Sequence, residues 1–293
     1  MNSFTFNHWI LAARLKTLST VFAPIFLISA FSYRFYSVDW VVFFTALLAT
    51  FFIQVGTNFA NDYYDYISGA DSFREAGFKR ATQSGLISPS HMKRAFILMF
   101  CCAFLSGIYL MYLGGPVIVL IGICSILFGY LYTGGPYPLG YHGLGDLTVF
   151  LFYGPVAVLG MQFLYISHIT FSGFMLSLVP GFLSVGILVV NNLRDIESDK
   201  KANKLTLAVR FGKRFSQLEY CICLFFPLII SIGFMMVYKH YLYVFISIIP
   251  FLVFSTLFVR IFTARDSDLN HVLVDTSKLL FFQSTFLSLG LIL

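Results

Sequence analysis

The sequence predicts an all-α polytopic membrane protein of about nine transmembrane helices, and three observations predict it. Hydrophobic residues make up 58% of the chain and charged residues only 11%, against roughly 45–50% and 25% in soluble domains. Apolar runs of about 20 residues recur, long enough to cross a hydrocarbon core as helices, and they lack the short alternating segments of a membrane barrel. The basic residues are also segregated. If the N-terminus is cytoplasmic, nine spans leave 59–94, 133–145, 193–217 and 263–275 on the cytoplasmic side. Of the 19 Lys and Arg, only Arg34 and Lys239 then fall in the opposite loops, as the positive-inside rule requires.

The spans read in order as 9–32, 38–58, 95–113, 115–132, 146–166, 171–192, 218–238, 241–262 and 276–293. The last is the shortest on apolar residues, because Asp275 and Lys278 sit at its start. The N-terminus lacks a basic region followed by a cleavage site, so no signal peptide is expected. Arg14 and Lys16 lie where long side chains can snorkel to the interface or meet a phosphate. The Gly114-Gly115-Pro116 stretch reads as a tight turn between spans three and four. Cys101, Cys102, Cys124, Cys221 and Cys223 all fall inside spans without metal-ligand company and read as small hydrophobes. The net charge of +6 reports orientation and affinity for anionic lipid or phosphate, and no nucleic-acid partner is expected.

Two polar stretches break the pattern. The second span ends in Asn58, Asn61, Asp62, Asp65 and Asp71, with Asn58, Asp62 and Asp65 at i, i+4 and i+7 on one helical face. The loop beyond carries Arg74, Lys79 and Arg80. The sixth span ends likewise in Asn191, Asn192, Arg194, Asp195 and Asp199, with Asn191, Asp195 and Asp199 at i, i+4 and i+8, followed by Lys204 and Arg210. Carboxylates this close repel one another, and at a membrane edge they persist when a cation or a functional demand offsets the cost. Solvated loop charges would explain one such run. Two runs, four crossings apart and so on the same side, point to one site with two acidic walls in an approximately duplicated single domain spanning 1–293. Such walls suit Mg2+, which takes a few carboxylates and completes its octahedron with water and phosphate oxygens. Lys79, Arg80, Arg194, Lys204 and Arg210 could then neutralise a departing diphosphate. Between them, the loop around Tyr132 and His142 is rich in Gly, Pro and Tyr and holds no Lys or Arg, which reads as a lid or pocket wall.

Asn58-x3-Asp62-x2-Asp65 with Asp71, and Asn191-Asn192-x-Arg194-Asp195-x3-Asp199, resemble the paired aspartate motifs of the UbiA superfamily of intramembrane prenyltransferases. Lys79 to Gly85, the Tyr-Thr-Gly-Gly-Pro-Tyr-Pro loop from Tyr132, Gly143 to Asp146, and Lys204 to Gly212 look like the 1,4-dihydroxy-2-naphthoate polyprenyltransferases of menaquinone synthesis. The resemblance implies a UbiA-like bundle around a central cavity capped by cytoplasmic loops, in a bacterial plasma (inner) membrane. It implies Mg2+-dependent transfer of a polyprenyl group from its diphosphate to 1,4-dihydroxy-2-naphthoate, with loss of CO2 and diphosphate, giving demethylmenaquinone. On it, Asp62, Asp65, Asp195 and Asp199 bind Mg2+ and are the catalytic acids. Asn58, Asn61, Asp71, Tyr132, Asn191 and Asn192 join the basic residues in holding substrate. The chain departs from the subfamily's Ala-Gly-Lys-Arg-Thr-Leu at two places, Asn203 and Leu205; Asn tolerates a positive φ better than most residues, so the turn can survive. A different aromatic acceptor, such as 4-hydroxybenzoate, is the nearest alternative. A cation-coupled transporter is the alternative from another class, but its acids should lie near mid-membrane rather than beside basic residues at one interface.

Overall fold

The computed structural model describes residues 3–73, 80–237, 242–265 and 267–293. Among them there are helices and turns and no strand. Among the described residues, six helices are long and apolar enough to cross a membrane by length and composition: Trp40–Ile67, Pro89–Leu131, Gly145–Ile166, Phe171–Arg194, Leu207–Phe234 and Phe245–Thr263. Large exposed side chains such as Phe44, Leu105, Tyr112 and Leu120 cover the outside, as a lipid-facing surface should.

The first predicted span is in fact two pieces. Helix α1 (Ser3–Ala13) stops where Arg14 adopts a left-handed backbone, φ 51°, and a 3₁₀ turn over Leu15–Thr17 leads into α2 (Ser19–Phe35). Apolarity carries through this break, which is why the sequence hides it. Helix α3 (Trp40–Ile67) is started by Asp39, whose carboxylate accepts from Val41 N–H and Val42 N–H at 2.8 and 3.2 Å, a side-chain cap of the exposed first donors. Helix α4 (Pro89–Leu131) counts 43 residues, roughly 65 Å if straight and twice a hydrocarbon core. It is a hairpin: Gly115 turns the chain at φ 60°, ψ −151°, and Phe96 and Phe100 of one limb pack in one cluster with Ile126 and Tyr130 of the other.

Helices α5 (Gly145–Leu151) and α6 (Ala157–Ile166) are joined by a π-helical turn over Phe152–Val156. Helix α7 (Phe171–Arg194) is the bundle's centre, 72% of its apolar window being buried against 11–39% for the other five. A short α8 (Ile196–Lys201) follows a break at Asp195, so 191–199 is not one straight helix. The i, i+4 relation nonetheless survives, because Asp195 N–H bonds Asn191 O at 3.1 Å and Asp199 N–H bonds Asp195 O at 2.8 Å.

Helix α9 (Leu207–Val237) bends at Gly212, and a 3₁₀ run over Leu242–Ile248 leads to α10 (Ile249–Val253) and α11 (Leu257–Thr263). Helix α12 (Leu269–Ile292) begins seven residues before the predicted 276. Its early charges are tied, Asp275 accepting from Arg260 Nη1 at 2.7 Å and from Lys278 Nζ at 3.1 Å, so they do not stop the helix. Thr276 and Gln283 in α12 are fully buried in the bundle.

Candidate active site

The C-terminal ends of α3 and α7 open on one cavity of about 330 Å³. Asn58, Asn61, Asp65 and Arg80 come to it from the first polar stretch, and Asn191, Asn192 and Lys204 from the second, with Tyr132 between them. The cavity face of α3 includes Asp65, Asn61, Asn58 and Gln54, interspersed with Thr57, Ile53 and Thr50, and ends at Ala49 and Ala46. That is a helical stripe passing from acid through amide to alkyl, so one end of the cavity suits an anion with its counter-ions and the other a hydrocarbon.

In the first wall, Asp62 is 1% exposed, and its two oxygens accept the N–H groups of Ala81 and Thr82 at 3.1 and 3.0 Å. It thereby fixes the backbone that carries Arg80. Asp65 Oδ2 meets Arg80 Nη2 at 3.0 Å and Asp65 Oδ1 accepts from the Tyr141 hydroxyl at 2.8 Å. Asp71 lies 3.5 Å from Arg80 Nε, so Arg80 spans two acids. Asn58 donates to Ala13 O at 2.9 Å and Thr17 Oγ1 at 3.4 Å, tying α3 to the break between α1 and α2. Asn61 Oδ1 accepts from Thr133 Oγ1 at 2.7 Å. Lys79, Arg74 and Lys239 lie outside the described residues.

The second wall is built around Arg194. Its guanidinium grips Asp195 through two bonds, 2.8 and 2.7 Å, and reaches Asn191 Oδ1 at 2.8 Å and Asn270 Oδ1 at 2.9 Å. The Arg194 and Asp195 side chains are each 1% exposed. Lys204 Nζ is 3.7 Å from Asp199 Oδ1. Asn203 takes φ 54°, the positive value the subfamily's glycine would supply. Leu205 is exposed, so no cavity group is missing at its position. Arg210 is exposed as well and donates to the backbone oxygens of Leu205, 3.1 Å, and His142, 2.9 Å. It clamps the 133–144 loop rather than facing the cavity.

Tyr141 is the residue that sequence reasoning passed over. Its hydroxyl holds Asp65 and lies 3.0 Å from Ser68 Oγ, its ring sits 5.5 Å under Lys204 Nζ, and its carbonyl accepts Leu205 N–H at 2.8 Å. One residue thus laces the two walls together. Burial, and then the Asp65 carboxylate, push its phenol well above the usual range. Its only sequence signal is membership of the basic-free loop. His142 stacks on Tyr137 at 3.7 Å and bonds Pro138 O at 2.8 Å, which accounts for it as a loop residue.

Of the four motif acids Asp65 lines the cavity, and Asp62, Asp195 and Asp199 are not among its lining residues; carboxylates joined by phosphate oxygens are the donors a hard divalent cation takes. All four motif acids are carboxylates at most 4% exposed. No cluster of three or more His, Cys, Asp or Glu forms an all-protein cage among the described residues. A cation held by one or two carboxylates that completes its shell with water and phosphate oxygens needs no such cage, and that is how Mg2+ is usually bound.

Helices that span a membrane, an acid-and-base site at one end and a cavity turning apolar inward define the class: an intramembrane prenyltransferase. The chain belongs to the UbiA prenyltransferase family, whose model matches residues 20–285. It is 37% identical over 216 residues to the 1,4-dihydroxy-2-naphthoate octaprenyltransferase of Mycobacterium tuberculosis, covering 74% of each chain. It is 34% identical over 297 residues to the protein of that name from Haemophilus influenzae, covering 97% of this chain and 96% of that one. Among solved structures it resembles a UbiA homolog from Archaeoglobus fulgidus bound to DMAPP and Mg2+, with TM-score 0.64 at 14% identity over 96% of this chain and 99% of that one. That likeness confirms the fold.

Proposed function

We propose that this chain transfers a polyprenyl group from polyprenyl diphosphate to 1,4-dihydroxy-2-naphthoate in a Mg2+-dependent reaction of menaquinone synthesis. The observation that carries the reading is the cavity whose one face runs from Asp65 through Asn58 to Ala46, because an acidic mouth leading to an alkyl interior suits a substrate with a charged head and a long apolar tail. The named relatives support the naphthoate, and the metal-bound homolog supports Mg2+.

Asp62, Asp65, Asp195 and Asp199 are the residues that would hold Mg2+, which would supply electrostatic stabilisation of a leaving diphosphate. Arg80 and Lys204, already at the cavity, stabilise the negative charge that grows as the prenyl C1–O bond breaks. Tyr141 and Arg194 hold Asp65 and Asp195 in place. The cavity walls keep water from the allylic cation, and Phe128, Phe152 and Tyr132 offer it ring faces. The naphthoate carbon that bears the carboxylate forms the new C–C bond, and CO2 leaves from that carbon with its bonding electrons returned to the ring. Aromaticity is restored without a general base, giving the hydroquinone form of demethylmenaquinone. The acids face the cytoplasm of a bacterial plasma membrane on this reading, where diphosphate and dihydroxynaphthoate are delivered.

The test offers purified protein dihydroxynaphthoate or 4-hydroxybenzoate with one prenyl diphosphate and Mg2+. Prenylated, decarboxylated naphthoate is the expected product; prenylation of 4-hydroxybenzoate alone would overturn the acceptor assignment.

A further inference from the structure

Below the asparagines, a set of polar side chains faces a part of the cavity that a hydrocarbon tail could not use. Gln54 lies eight residues before Asp62 on α3, roughly 12 Å deeper along the helix. Its Oε1 accepts the Tyr153 hydroxyl and its Nε2 donates to Thr17 Oγ1 at 3.2 Å. Gln54, Tyr153, Thr17 and Thr20 all line the cavity. Met111, Ile121 and Leu164 line its apolar part.

Two backbone irregularities from separate parts of the chain meet at this ledge. One is the left-handed turn at Arg14 with the 3₁₀ turn that presents Thr17. The other is the π-helical turn Phe152–Val156 that presents Tyr153. A π-turn inserts a residue into a helix and re-aims the side chains beside it, and such turns are frequent at functional sites. Here the chain is committed to it: a Cβ on Gly154 would lie 2.7 Å from Ser177 O and 2.9 Å from Gly181 Cα, so the turn is pressed directly onto α7. Polar side chains that only staple helices together need not line a cavity. These do, and they keep bonding capacity after their mutual bonds are made. Gln54 has a second amide N–H to donate, and the Tyr153 oxygen, which also bonds Thr20, keeps a lone pair to accept.

We propose that the Gln54–Tyr153 ledge is the subsite for a ring hydroxyl of the aromatic acceptor. The inference rests on the prenyltransferase reading above and deepens it. The hydroxyl donates to Tyr153 Oη and accepts from Gln54 Nε2. The ring then lies in the cavity beside Gln54 and Asn58, which share Thr17 Oγ1, beneath the point where the diphosphate leaves, and the prenyl tail takes the apolar remainder. Tyr153 and Gln54 are positioning and specificity residues, and no bond of the reaction is made on them.

The test uses Tyr153→Phe and Gln54→Leu in the full-length protein, in detergent with Mg2+. The KM for dihydroxynaphthoate should rise about tenfold in each, the worth of one lost hydrogen bond. The KM for prenyl diphosphate should stay close to wild type, and Tm should fall by no more than the few degrees that one lost internal hydrogen bond costs. Naphthoates lacking either the 1- or the 4-hydroxyl, used as competitive inhibitors, supply the second readout. Wild type should discriminate between them and Tyr153→Phe should not. An unchanged acceptor KM in both variants would overturn the proposal, as would a rise in both KM values together with a fall in Tm, the mark of a helix staple. If wild type prenylates a different aromatic acceptor, the functional reading fails alone, and the same split measured with that acceptor decides the ledge.

Discussion

Replacing Arg194 by Met decides whether this arginine serves the substrate, as its place in the motif suggests, or the fold. In the structure it is spent on protein partners: two bonds to Asp195, one to Asn191 and one to Asn270. Both members of the ion pair are 1% exposed, so Arg194→Met strands a carboxylate with no water to take it. Removing one partner of a buried pair costs about 3–5 kcal/mol, and the two amide oxygens left without their donor add about 1 kcal/mol each. A loss of about 5–7 kcal/mol lowers Tm by roughly 10–20 °C in a protein of this size. The double variant Arg194→Met/Asp195→Leu removes the stranded charge as well and should recover most of the loss, keeping a deficit of about 2 kcal/mol from the amides. Thermal unfolding in detergent, followed by intrinsic tryptophan fluorescence, measures both. A single variant with wild-type Tm and a raised KM for prenyl diphosphate would refute the reasoning and return Arg194 to the substrate.

Asp65→Asn should cut turnover by on the order of a hundredfold or more with the protein still folded, because it removes charge from the cavity wall while leaving an oxygen to accept from Arg80 or Tyr141; product formation near wild type would exclude Asp65 from the diphosphate site. Tyr141→Phe breaks the bond to Asp65 and should cost about 1 kcal/mol and a several-fold loss in turnover, read by Tm and initial rate. The raised Tyr141 phenol keeps its proton where the unfolded chain gives its own up, near pH 10. Stability therefore falls as pH rises above that point, and the Phe variant should lose this part of the slope. Chelating Mg2+ should stop turnover, and adding Mg2+ with a prenyl diphosphate analogue at a hundred times Kd should raise stability by about 2.7 kcal/mol; equal Tm with and without the pair would contradict a shared metal–diphosphate site.

The sequence by itself determined the class and the helix-rich architecture, and it singled out the two acidic stretches as the candidate site. Apolar runs report burial in lipid directly, and Asp62, Asp65, Asp195 and Asp199 are local patterns whose cost in a membrane demands a reason. It also determined the turn at Gly115 and the tolerance of Asn203 for a positive φ, both properties of single residues. Composition could not show where helices stop inside an apolar run, so the break at Arg14 and the π-turn at Phe152–Val156 were invisible. Nor could it show which partner a charge chooses. Arg194 and Arg210 read as phosphate ligands until packing gave them Asp195 and two backbone oxygens. Gln54 carried no signal and Tyr141 only its place in the basic-free loop, since an isolated Tyr or Gln takes its meaning from the group opposite. Only the tertiary structure set Tyr141 between Asp65 and Lys204, and Gln54 against Tyr153, because contacts across more than 60 residues are made by helix packing and leave no trace in local spacing.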